Sequence, residues 1–310
     1  MSMERLVAAI NEKNNPTVAG LDPKLDFIPE FIKTECFTEF GETLEGAAEA
    51  LYRFNTGLID ALWKIVPAVK PQAAYYEMYG WQGVRALERT IRYAQSKGMY
   101  VLTDGKRNDI GATMQAYTAA HLGKTRVGSQ ELIPFGADGL TVNGYLGSDG
   151  INPLLEVCRA EDKAIWVLVK TSNPSSGELQ DQKLADGRSV YEAMGSMCEE
   201  WGRDSIGASG YSAVGAVVGA TYPEQLRELR EKLPHTFFLV PGYGAQGGNA
   251  EMLKVCFDKR GLGGVVNNSR GIICAYRNAA YKGLNYADAA RAACVDMQKD
   301  LSGVIGVMGR

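Results

Sequence analysis

Eight short runs of apolar and β-branched residues punctuate the chain: TVAGLD (17–22), IVPAVKPQ (65–72), MYVLTDGK (99–106), GLTVN (139–143), AIWVLVKTS (164–172), AVGAVVGAT (213–221), FFLVPGYG (237–244) and GVVNNSR (264–270). Their length and composition suit strands. They are too uniformly apolar to leave one face in water, which is the mark of parallel strands covered on both sides. Between them lie longer amphipathic stretches. YGWQGVRALERTIRYAQSKG (79–98) carries an apolar stripe through Val84, Leu87, Ile91 and Tyr93 and ends at Gly98, a helix with a glycine stop. YPEQLRELREKLP (222–234) places Pro223 in the first turn, where a helix accepts proline. Strand and helix alternating eight times predict a single (β/α)8 TIM barrel, with an open doubly wound sheet as the competing arrangement.

The N-terminal stretch MSMERLVAAINEKNNP puts Leu6, Val7 and Ile10 on one helical face behind Ser2 as an expected cap. It lacks the apolar centre of a signal peptide. A helix before the first strand and closing helices at the C-terminal end complete the expectation of one domain over residues 1–310, since no linker, low-complexity tract or repeat interrupts the chain. The connections after the first and fifth strands, the latter TSNPSSGELQDQKLADGRS (171–189), are long enough to carry extra helix or a lid.

Composition narrows the function classes. With 45% hydrophobic and 22% charged residues the chain has enough apolar content for a sizeable core. A formal net charge of −3 gives no general attraction to nucleic acid or to an anionic membrane, and no run approaches the ~18 apolar residues of a membrane span. The expected location is the cytoplasm, with no nucleic-acid or membrane partner. The six cysteines are scattered without a CxxC pair, and His121 and His235 are the only histidines. Buried reduced thiols and no metal site are therefore expected.

Polar residues recur where the strands run out: Asp22 after the first, Lys70 after the second, Asp104 and Lys106 after the third, Asn143 after the fourth, Thr171 and Ser172 after the fifth, Gln246 after the seventh and Arg270 after the eighth. In a barrel these ends converge on the face where active sites are built. Asp104 and Lys106 are two apart on a strand and share a face, and Asp109 follows in the loop. A bare D-x-K-x-x-D pattern arises by chance in about one chain in fifteen of this length. Its weight comes from its neighbours in the fold. The glycine-rich PGYGAQGG (241–248) after the seventh strand and NNSRGI (267–272) after the eighth occupy the two loops that commonly form a phosphate site in this fold.

Taken together, LTD followed by KRNDIGAT, with GLDP, VKPQ, KTSNPSSGELQ, VPGYGAQGG and NNSRGI in order at the other strand ends, resemble the orotidine 5'-phosphate decarboxylase family, closest to its longer bacterial branch. The resemblance runs from about residue 17 to about residue 275. It implies a homodimeric barrel that converts orotidine 5'-monophosphate to UMP and carbon dioxide without cofactor or metal. It further implies Lys106 as the acid that protonates C6, Asp104 beside the departing carboxylate, and Lys70 as an extension of the charge array. Asp109 and Thr113 would serve the partner subunit's site. Asp22 would bind the ribose, Ser172 the pyrimidine edge, and Gln246 and Arg270 the phosphate, while Thr171 and Asn143 are counted as site-facing. Gly105 and Asn108 depart from the residues usual in the shorter branch and leave D-x-K-x-x-D intact.

Three rival readings have distinct signatures. A magnesium-dependent relative such as hexulose-phosphate synthase needs an acidic residue after the second strand, where Lys70 stands. A Schiff-base aldolase would use Lys70, Lys106 or Lys170; carboxylates beside Lys106 disfavour the neutral amine, and an outward-facing Lys170 would be structural. A nucleotide-binding barrel without catalysis would have lost part of the charge array, which is complete.

Overall fold

The computed structural model describes residues 2–244 and 248–305. All eight expected runs are strands: β1 (Thr17–Leu21), β2 (Ala68–Pro71), β3 (Tyr100–Arg107), β6 (Gly139–Val142), β7 (Ala164–Lys170), β8 (Val214–Val218), β9 (Phe238–Pro241) and β10 (Gly264–Asn268). The numbers β4 (Thr125–Val127) and β5 (Gln130–Leu132) belong to an exposed antiparallel hairpin between the third and fourth barrel strands. Every barrel pairing is parallel, and β1 joins β10 to close the ring. The doubly wound alternative is thereby excluded.

The alternation of side chains along each strand builds two cores. Residues such as Val18, Tyr100, Leu102, Trp166, Val217 and Leu239 fill the lumen, while Val69, Val101, Leu140, Val167, Val214 and Val266 face the surrounding helices. The N-terminal helix Ser2–Lys13 stops the lower end of the barrel, with Met3, Leu6, Val7 and Ile10 continuous with the lumen core. Ser2 is not a cap. It lies within that helix, and its hydroxyl bonds Tyr100 Oη at 2.8 Å and donates to the Asp138 carbonyl at 3.0 Å. Arg5 adds an ion pair to the buried Asp138 at 2.9 Å. The closed end thus combines apolar burial with satisfied polar groups.

The long connection after β1 contains the helices Glu30–Phe40 and Leu44–Leu62, and the C-terminal helix Tyr286–Ile305 packs against the second of these. Helix Gly80–Ser96 buries Ala86, Leu87, Thr90, Ile91 and Ala94, whereas Val84 and Tyr93 are only half-buried. Its inward stripe is therefore rotated toward small residues that allow close approach to Leu44–Leu62. Gly98 ends it at φ +77°, as a left-handed stop requires. The six cysteines are free thiols, five of them buried. Among the described residues no helix is long and apolar enough to cross a membrane.

Ile10 is fully buried in the plug. Ile10→Ala is expected to lower unfolding stability by about 3 kcal/mol, measured as a shift in the urea midpoint at unchanged m-value. A change below about 1 kcal/mol would show that the helix is not part of the cooperative core.

Candidate active site

At the carboxyl end of β3, Asp104 lies 8% exposed and receives four hydrogen bonds from three strand ends. Lys70 Nζ from β2 donates to Oδ2 at 2.6 Å and Gln72 Nε2 to the same oxygen at 2.9 Å. Lys106 Nζ donates to Oδ1 at 2.5 Å and Thr141 Oγ1 from β6 at 2.8 Å. Burial alone would raise the Asp104 pKa, but the two ammonium groups outweigh it and hold the carboxyl well below the usual carboxylate range. Burial likewise disfavours the charged form of Lys70, which is 4% exposed, and Asp104 and then Asp22 overcome it, leaving the pKa raised. Both groups are therefore ionised at neutral pH.

Lys106 reaches this position by an irregular path. Thr103 pairs with Leu140 and Arg107 with Val142, so β3 carries two more residues than β6 over the same span. Within that bulge Lys106 has φ +48°, a conformation costing a non-glycine residue on the order of 1 kcal/mol. Thr141 helps to hold it, because Oγ1 also accepts the Lys106 N–H at 3.0 Å. The Lys106 side chain remains 46% exposed and is the accessible member of the cluster.

Three lobes meet at this cluster. A polar cavity of about 330 Å³ runs from Asp22, Lys70 and Asp104 to Gly242, Tyr243 and Arg270. A second of about 440 Å³ has an apolar floor of Leu168, Val217, Leu239 and Pro241 and a polar rim including Thr171, Ser172, Asn173 and Gln180. A third, of about 400 Å³, opens from Asp22 and Lys106 past Tyr75, Glu77 and Arg107. Lys70 and Asp104 are shared by the first two. Arg270 has no carboxylate partner among the described residues, leaving its planar fork free for an anion. Asp22 Oδ1 and Asn267 Oδ1 are buried without a hydrogen-bond donor among the described residues. Glycines permit the close approaches here. A Cβ on Gly20 would lie 1.9 Å from Ser269 Oγ, and one on Gly219 would lie 2.9 Å from the Ser172 backbone.

Of the residues expected from sequence, the lobes bring together Asp22, Lys70, Asp104, Lys106, Thr171, Ser172 and Arg270. Gln246 lies outside the described residues. Asp109 and Thr113 do not line these cavities: Asp109 Oδ1 accepts from the Ile110 N–H at 2.8 Å, and Thr113 is exposed on helix Gly111–His121. Asn143 is exposed too, because β6 ends at Val142 and its Oδ1 turns back to accept from the Tyr145 N–H at 3.0 Å. Sequence reasoning missed Gln72, Thr141 and Asn267. Gln72 lies two residues from Lys70 and Thr141 two from Asn143, so strand parity was an available signal for both; Asn267, one residue before the end of β10, had no such marker. Among the described residues no group of three or more His, Cys, Asp or Glu side chains is placed to hold a metal ion.

A closed ring of eight parallel strands with its polar cluster and cavities at the carboxyl-end mouth defines a (β/α)8-barrel enzyme. The family model described as orotidine 5'-phosphate decarboxylase / HUMPS family matches residues 53–282, and the chain belongs to that family. It is 43% identical over 303 residues to the orotidine 5'-phosphate decarboxylase of Rhodopirellula baltica, covering 96% of this chain and 98% of that protein. The corresponding protein of Caldicellulosiruptor bescii is 42% identical over 275 residues, covering 89% and 90%. Among solved structures, the OMP decarboxylase of Leishmania donovani superposes with a TM-score of 0.73 at 29% identity and 98% coverage of both chains.

The Asp104 pKa is lower in the fold than in the unfolded chain, so its ionisation stabilises the protein above the ordinary carboxylate range, and that contribution is lost as pH falls through it. Asp104→Asn is expected to flatten the decline of stability between about pH 5 and pH 2. It should also cost about 3 kcal/mol at neutral pH by leaving Lys70 unpaired. Urea unfolding across this pH range checks both, and an acid limb as steep as wild type would refute the assignment.

Proposed function

We propose that the protein decarboxylates orotidine 5'-monophosphate to UMP and carbon dioxide in pyrimidine biosynthesis, through a C6 carbanion stabilised and protonated by Lys106. The observation that carries this reading is Asp104 held between Lys70 and Lys106 where a polar lobe meets an apolar one. A nucleotide fits that division. Its phosphate suits the lobe lined by Arg270, its ribose hydroxyls suit Asp22 Oδ1, which has no donor among the described residues, and its pyrimidine suits the apolar floor below Ser172 and Thr171.

In the reaction the C6–carboxylate bond breaks, its electron pair stays on C6, carbon dioxide leaves, and an Nζ proton of Lys106 passes to C6. Solvent then restores the proton to the lysine. The ring delocalises the pair poorly, so a positive charge fixed near C6 is the main source of stabilisation. An ammonium supplies both charge and proton, which arginine does not readily do. Asp104, about 4 Å from the substrate carboxylate, would repel it by roughly 4 kcal/mol at an effective dielectric of 20, a term that vanishes as neutral carbon dioxide forms. Binding energy from the remote phosphate serves to exclude water around the ring. The reaction needs no metal or organic cofactor, and an unchanged rate in EDTA is the corresponding expectation against a magnesium-dependent member of the family.

The functional unit in this reading is a homodimer in which Asp109 and Thr113 complete the partner's site. Exposed Ile110 and Tyr117 flank these residues in the chain, an apolar setting suited to burial by a second copy.

Two measurements test the proposal. The ultraviolet absorbance of orotidine 5'-monophosphate should fall with wild-type protein, and Lys106→Ala should slow it by about 10³-fold or more; no decay with wild type would sink the function, and unchanged decay in the variant would sink the mechanism. For the shared site, Lys106→Ala and Asp109→Ala chains are unfolded and refolded together. One intact site per heterodimer restores about a quarter of wild-type activity by random pairing. Activity no higher than that of the two inactive parents would place Asp109 in its own subunit's site.

A further inference from the structure

Lys170, at the end of β7, is fully buried yet lines none of the three lobes. Strict alternation would aim it into the lumen beside Leu168. One extra residue in β7 prevents this: Leu168 pairs with Val217 but Lys170 pairs with Val218, the next residue along. The bulge turns Lys170 outward, where its ammonium meets Asp181 Oδ1 at 2.6 Å and donates to Ser176 Oγ at 3.3 Å. The Tyr222 ring lies 4.5 Å from the same charge. Asp181 and Ser176 belong to the long connection 171–189, and Tyr222 to the loop after β8.

This connection carries the polar rim of the apolar lobe. Its first half is tied down by side-chain hydrogen bonds. Gln180 accepts the Thr171 N–H at 2.9 Å and donates to Thr171 Oγ1 at 2.8 Å, while Tyr222 Oη donates to the Asn173 carbonyl at 3.4 Å. A buried ion pair is a poor source of net stability, since apolar residues of similar volume commonly do as well. Its distinctive property is directional: a loop that leaves this conformation takes Asp181 and Ser176 away from a fully buried ammonium.

We propose that Lys170 is a positioning residue of the active site, whose ion pair with Asp181 fixes connection 171–189 and so sets Ser172 and Asn173 over the pyrimidine lobe. The inference rests on the function proposed above for what the loop binds, and on the ion pair alone for what holds the loop.

Asp181→Asn is the principal test, because the Asp181 side chain is 46% exposed and the substitution preserves its shape. The expected result is a KM for orotidine 5'-monophosphate and a Kd for UMP each raised about tenfold, with kcat within about threefold of wild type. The melting temperature of the ligand-free protein stays within about 3 °C of wild type. Amide hydrogen exchange should rise in residues 171–189 and not in the barrel strands. Asp181→Glu, which retains the carboxylate, should recover most of the affinity. Unchanged KM and Kd, or exchange rising across the whole barrel in step with a lowered melting temperature, would overturn the proposal. Lys170→Met is the second variant and should give the same loop-confined exchange. The exchange measurement needs no substrate, so it judges the ion pair even if wild-type protein fails to turn over orotidine 5'-monophosphate, an outcome that would count against the function instead.

Discussion

A carboxylate that is nearly sealed from water has to be surrounded by donors, and the mouth of this barrel is organised around meeting that demand for Asp104. An uncompensated charge at such depth costs several kcal/mol. Four donors from β2, β3, β6 and the residue following β2 converge on its two oxygens. No local stretch of chain supplies them. The ring must close, and its registers must be right, before the charge is satisfied. The cluster therefore depends on the fold, and neighbouring strand ends are tied together by it in return.

The same constraint explains where strain is tolerated. Lys106 holds a left-handed backbone angle because Thr141 captures its N–H and Asp104 its ammonium. At the opposite end the barrel is conservative: the N-terminal helix packs four apolar side chains against the lumen, and Ser2, Arg5, Tyr100 and Asp138 satisfy one another. Stability is concentrated at the closed end and chemistry at the open one, the division usual for barrels. A mouth lined by acceptors without donors among the described residues, such as Asp22 Oδ1 and Asn267 Oδ1, is less stable than it would be if apolar. A well-packed floor lets the fold carry that cost.

The barrel was legible in the sequence because eight apolar runs alternating with helix-like stretches have few other arrangements, and the central charges because Asp104 and Lys106 share strand parity. What escaped depended on pairings between distant segments. Thr141 acquires its role only once β6 lies beside β3, 37 residues away in the chain from Asp104. The hairpin Thr125–Leu132 escaped for a different reason: its strands are three residues long and exposed throughout, so no alternation of apolar and polar positions marks them. Asn143 was counted as site-facing because it closes the fourth apolar run, but the strand itself ends one residue earlier, at Val142. Ser2 has a residue type that suits a cap, and a buried partner, Tyr100, instead fixed its position inside the helix.

Two lysines at strand ends show how little sequence separates opposite uses of one residue type. Side chains on a strand alternate with period two, so an insertion of two residues preserves the facing of everything beyond it and an insertion of one reverses it. β3 carries two extra residues relative to β6, and Lys106 stays at the mouth. β7 carries one relative to β8, and Lys170 leaves the lumen for the helix side, where Asp181 receives it. Neither bulge is marked by proline, and the glycine within the first, Gly105, has a negative φ that any residue adopts. The difference between a lysine in the charge array and a lysine beneath a loop thus lies in the parity of one strand against its neighbour. That quantity is set by the closed ring as a whole and is absent from either run of residues read alone.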